Sequence, residues 1–95
     1  MARIKTHPGQ ILKEGLMARR LSANCLALDL GVPSGRIVDI LNGKRSVTPD
    51  TALRLSRYFG NSAQFWMNLQ TQYDLSVAEA AHGIEIDTRV ARAAE

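Results

Sequence analysis

A single cysteine, Cys25, occurs in the chain, so no internal disulfide can close. The two histidines, His7 and His82, stand far apart and nothing around them takes the spacing of a metal site, so no metal is expected. No His, Cys, Ser and carboxylate set falls at a catalytic spacing, which excludes catalytic residues, and with them an enzyme or a cofactor, from the expectation. Long apolar runs are also missing: the longest is Cys25 to Leu28, against the roughly 20 residues of a membrane span. Arg3 and Lys5 are followed by no apolar stretch that would make a secretory signal. With almost no strand alternation either, the chain reads as a soluble cytoplasmic protein whose helices stand on packing alone.

The 95 residues, 45% hydrophobic and 22% charged, suffice for one small globular domain and not for two. The net charge of +3 conceals a polarity. Residues 1–60 carry ten Lys/Arg against Glu14, Asp29, Asp39 and Asp50, a balance of +6. Residues 61–95 carry Arg89 and Arg92 against Asp74, Glu79, Glu85, Asp87 and Glu95, a balance of −3. A basic front suits a polyanion and an acidic tail a cationic protein, although an unevenly solvated surface reads the same way.

Capping residues divide the chain into short helices. His7-Pro8-Gly9 opens the first, which carries Ile11, Leu12 and Leu16 on one side, tolerates Gly15, and ends near Arg19-Arg20. Ser22 caps a second over Ala23 to Leu30, with Cys25 expected to pack as a small apolar residue, and Gly31 ends it. The third runs from about Ser34 to Leu41, after a turn of only Gly31-Val32-Pro33-Ser34, the spacing of a helix-turn-helix. Thr48 and Pro49 open a fourth that continues to Phe59, and Gly60 closes it. Ser62 caps a fifth containing Phe65, Trp66, Leu69 and Tyr73. Beyond Gly83 the pattern is ambiguous: Ile84-Glu85-Ile86-Asp87 alternates like a short strand, while Arg89 to Ala94 tolerates helix.

Function concentrates on the third helix. At 100° per residue Ile37, Ile40 and Leu41 form its buried stripe, which turns Gly35, Val38, Asp39 and Asn42 outward and sets Arg36 at the edge. Small residues outward with an arginine near the N-terminus suit a helix entering the DNA major groove. Gly35 lets the backbone approach, Val38 meets a thymine methyl, and Arg36 reaches guanine or phosphate. Asp39 opposes phosphates unless it accepts a hydrogen bond from cytosine or holds Arg36. The turn Asn42-Gly43-Lys44-Arg45-Ser46 adds a basic grip on phosphate, and Arg54 and Arg57 either extend the basic face or are solvated or paired within the molecule.

These residues resemble a known family. Leu21-Ser22, Leu26-Ala27, Leu30-Gly31-Val32-Pro33, Arg36-Ile37, Ile40 to Arg45, Thr48 and Asp50 to Leu55 look like the HigA/VapI-type antitoxins, a branch of the phage-repressor-like (XRE/Cro) helix-turn-helix proteins. The His7-Pro8-Gly9 opening and the Phe65-Trp66, Asn68-Leu69-Gln70 and Tyr73-Asp74 block extend the likeness from residue 7 to about 75. The resemblance implies an all-α, five-helix lambda-repressor-like domain over 1–75. Residues 76–95 follow as a short C-terminal extension, read either as a dimerisation element or as a partly disordered tail. It further implies a homodimer on a palindromic double-stranded DNA operator, repression of its own operon, and neutralisation of a HigB-like mRNA-cleaving toxin. The alternatives are a stand-alone repressor of the same family and a toxin-neutralising protein with little DNA binding.

Carried over by position, DNA contact falls to Ser34, Gly35, Arg36, Val38, Asn42, Lys44 and Arg45. Trp66, Leu69 and Tyr73 are expected in the core or at the dimer interface, to which the resemblance assigns this region. The chain departs from its relatives at Ala23, at Ser34-Gly35 and at Leu28-Asp29, where an acidic group approaches the presumed DNA side, so no relative's operator sequence transfers to it.

Overall fold

The computed structural model describes residues 3–94. Five helices follow one another: α1 (Pro8–Arg19), α2 (Ala23–Leu30), α3 (Ser34–Leu41), α4 (Pro49–Phe59) and α5 (Ala63–Arg89). No strand occurs among the described residues, and none of their helices is long and apolar enough to cross a membrane.

Side chains at the helix ends set most of these boundaries. His7 Nδ1 accepts the Gly9 N–H at 2.8 Å and so caps α1. Ser22, Thr48 and Ser62 accept from Cys25, Thr51 and Phe65 in the same role for α2, α4 and α5. Gly31 and Gly60 end α2 and α4 in the left-handed region at φ 73° and 77°. Arg20 ends α1 in that region too, at φ 52°, without glycine's freedom.

The helices close on one core of Leu12, Leu16, Leu26, Ala27, Leu30, Ile37, Ile40, Val47, Ala52, Leu55 and Trp66. The first turn of α1 meets the last turn of α3 so closely that a methyl group on Gly9 would overlap the Ile40 carbonyl oxygen. Ahead of α1, the Lys5 N–H donates to Ser76 Oγ at 2.9 Å and lays the N-terminal segment along α5.

One expectation is corrected and one ambiguity resolved. Cys25 is exposed, because Leu26, Ala27 and Leu30 take the inward face of α2. The segment Ile84 to Asp87 is helical, with no neighbouring strand to pair with; Glu85 lies 3.6 Å from His82 and 3.7 Å from Arg89 along the same helix face. The helix runs unbroken past residue 75 and stops at Arg89, so Val90 to Ala94 do not continue it. Beyond Ser76 no side chain of α5 is buried, and the molecule reaches 52 Å in one direction against 25 and 21 Å in the others.

Candidate nucleic-acid interface

The turn from α2 to α3 is held by backbone and apolar anchors. Gly31 donates to Leu28 O at 3.2 Å and Val32 to Ala27 O at 3.0 Å, while the Val32 side chain packs on the core. Pro33 then enters α3 with φ −61° and ψ 142° and offers no side-chain cap; its carbonyl accepts the Arg36 N–H at 3.1 Å, which leaves the Ser34 and Gly35 N–H groups for a ligand to meet. Ile37 and Ile40 are fully buried, which fixes the rotation of α3 about its axis.

That rotation exposes Ser34, Gly35 and Val38, the last at 42%. Nothing lies within 4 Å of where a Cβ on Gly35 would stand, so the fold itself does not require glycine there. Arg36 lies at the edge of this face, its side chain 32% exposed, with Nη1 3.5 Å from Asp50 Oδ2.

After α3 the chain folds back on itself: Asn42 donates to Val38 O, Gly43 at φ 73° to Ile40 O, and Lys44 to Asp39 O at 2.8 Å. This leaves Asn42, Lys44 and Arg45 exposed beside the helix. Val47 then dives into the core, and its N–H donates to Gln70 Oε1 of α5 at 2.7 Å. The basic turn is thus anchored at both ends. Between it and α4 lies a cleft of about 240 Å³ lined by Arg36, Arg45, Ser46, Thr48, Asp50 and Thr51.

The structure places Ser34, Gly35, Arg36, Val38, Asn42, Lys44 and Arg45 on α3 and the turn that follows it, all exposed except the half-buried Arg36, and brings Arg36 and Arg45 to one cleft. The acidic residues are arranged differently from the expectation. Asp39 does not hold Arg36; it faces Arg45, with Oδ2 3.9 Å from Nε. The carboxylate beside Arg36 is Asp50, counted from sequence only as a charge, although its spacing to Arg54 marks a helical ion pair. Asp29 sits near Tyr58 of α4 and, after burial, is the next cause raising that phenol's pKa. His7, close to Gly43 and edge-on to Tyr73 at 4.8 Å, has its pKa lowered by burial against smaller opposing effects of Asp74 and the Arg45 backbone.

Of the residues expected in the core or at a dimer interface, Trp66 takes the core: it is 3% exposed, with Nε1 donating to Asn61 Oδ1 at 2.9 Å, so it has almost no surface to offer a partner. Leu69 packs against the same core and Tyr73 is half-buried against His7. Exposed apolar surface lies instead farther along α5, at Leu75, Val77, Ile84 and Ile86.

Comparison with known proteins agrees with this geometry. A family model described as helix-turn-helix matches residues 12–66. Virulence-associated protein I of Dichelobacter nodosus is 54% identical over 74 residues, covering 77% of this chain and 68% of that protein. Among solved structures, an addiction module antidote protein of the HigA family from Coxiella burnetii superposes with a TM-score of 0.92 at 44% identity, over 96% of this chain and 100% of that one. The Pseudomonas aeruginosa antitoxin HigA, solved with the higBA promoter, does so with a TM-score of 0.92 at 43% identity, over 97% and 100%.

Proposed function

From the premise that this chain belongs to the helix-turn-helix family, we propose that it is the DNA-binding antitoxin of a type II toxin–antitoxin pair, repressing its own operon and neutralising a HigB-like mRNA-cleaving toxin. The observation that carries the DNA-binding reading is the outward face of α3. It presents Ser34, Gly35 and Val38 to a groove floor, with Arg36 at one edge and Asn42, Lys44 and Arg45 beyond its C-terminus. Likeness to HigA solved with promoter DNA supports the same reading.

The division of labour follows from chemistry. Lys44 and Arg45 pair with phosphates and set register, while Arg36 and Val38 meet base edges, Arg36 by a forked contact to guanine and Val38 by apolar contact with a thymine methyl. A homodimer brings two such faces to half-sites of a palindromic operator one helical turn apart, about 34 Å. The exposed apolar side chains of the outer half of α5 supply the contact between protomers. The acidic residues Asp74, Glu79, Glu85 and Asp87 suit a cationic toxin, and the cytoplasm is where both the operator and the toxin's mRNA are met.

The test is a fluorescence anisotropy titration with the palindrome upstream of the chain's own reading frame. Arg36→Ala is expected to weaken binding by about 1 to 3 kcal/mol. Unchanged affinity removes Arg36 from the interface, and the absence of any preference over scrambled duplex overturns operator recognition. Co-purification with the product of the adjacent gene tests the toxin partner; a chain that represses but captures no such product is a stand-alone regulator.

A further inference from the structure

The geometry points to Asp50 as a positioning residue that sets how well the interface distinguishes its operator from other DNA, an inference that rests on the DNA-binding reading above. One carboxylate oxygen, Asp50 Oδ2, accepts from Arg54 Nε at 2.9 Å and stands 3.5 Å from Arg36 Nη1. Arg54 is itself fixed, since its Nη1 donates at 2.7 Å to Leu30 O at the end of α2. Asp50 lies in the first turn of α4, where the helix dipole favours a negative charge. A chain of contacts thus runs from the last carbonyl of α2 through Arg54 and Asp50 to the arginine of α3.

Two consequences follow. Arg36 loses rotamer freedom before DNA arrives, so less entropy is lost when its guanidinium forks onto a base. Asp50, with its side chain 61% exposed in the cleft beside Arg36, also repels backbone phosphates. That repulsion acts against non-specific complexes, which phosphate contacts supply almost entirely, while a bound guanine repays it in the specific complex. Arg45 differs: its carboxylate, Asp39, stands 3.9 Å away and has no second arginine to fix it. Asp50 therefore restrains the base-reading arginine, while the turn arginine, held only by the longer contact to Asp39, turns readily to phosphate.

The experiment measures affinity for the upstream palindrome and for a scrambled duplex of equal length across a salt series, using the unmodified chain, Asp50→Ala, Asp50→Asn, Arg36→Ala and the Asp50→Ala/Arg36→Ala double variant. In Asp50→Ala, scrambled-duplex affinity is expected to rise and palindrome affinity to fall or hold, lowering their ratio about 1.5- to 5-fold, the scale of one partly exposed ion pair. The salt slope for scrambled DNA steepens by up to about one unit as Arg36 turns to phosphate. Asp50→Asn keeps an acceptor for Arg54 and removes the charge, so it shifts the ratio in the same direction even if Asp50→Ala unfolds. In the Arg36→Ala background the shift is expected to shrink, because only the relief of phosphate repulsion remains. A ratio insensitive to both Asp50 variants, or an equal shift without Arg36, overturns the role of Asp50 while leaving operator binding intact. Lack of discrimination by the unmodified chain overturns DNA reading and this inference together.

Discussion

His7 shows how one side chain serves two elements. Its Nδ1 caps α1, and its ring lies against Gly43 in the basic turn and Tyr73 on α5. The cap needs Nδ1 unprotonated, and burial lowers the folded-state pKa below the ordinary 6.5. The unfolded chain therefore takes up a proton first as pH falls. Stability is full above about pH 6.5 and declines as pH drops through that value toward the lower folded-state pKa. Thermal midpoints measured at about pH 7.5 and 5.5 should fall on acidification, and fall less in His7→Asn, whose amide caps without titrating. His82 is exposed and common to both proteins, so an equal fall in the two would assign the effect elsewhere.

The short helices were legible in the sequence because their signals are local. Ser22, Thr48-Pro49 and Ser62 open helices, Gly31 and Gly60 close them, and the stripe of Ile37 and Ile40 turns α3 as its spacing predicts. What escaped depends on partners distant along the chain. Gln70 is 3% exposed, yet no periodicity marks a buried amide whose Oε1 accepts from Val47 and whose Nε2 donates to Asp74 at 2.9 Å. The ion pair between Arg36 and Asp50 is equally invisible until α3 and α4 are packed. The outer part of α5 reads ambiguously for a different reason: alternation of Ile84 and Ile86 carries no weight without a strand to pair with. Gln70→Leu would leave the buried Val47 N–H without an acceptor and should cost about 1 to 3 kcal/mol in denaturant unfolding. It should also weaken operator binding by loosening the end of the basic turn. An unchanged unfolding midpoint would show that water or a shifted neighbour replaces the amide.

As a whole, the molecule is a compact basic body with a long acidic helix running away from it. The buried core takes in the inner turns of α5 through Trp66, whereas no described side chain of α5 beyond Ser76 is buried and Ile84 is 85% exposed. If the outer half of α5 joins two protomers, Ile84→Asp should raise the monomer fraction in sedimentation. Operator affinity should then fall by about an order of magnitude, as the linkage between half-sites is lost, while the helical content of the body is preserved. An intact dimer would place the contact elsewhere on the surface. The open space around Gly35 bears on a different property of the same body. Because no neighbour constrains that position, and Ser34 and Val38 beside it are also exposed, side chains there can change without disturbing the packing that holds α3. The scaffold can be inherited while its DNA address is rewritten, so sister copies in one cell can diverge to ignore each other's operators while folding alike.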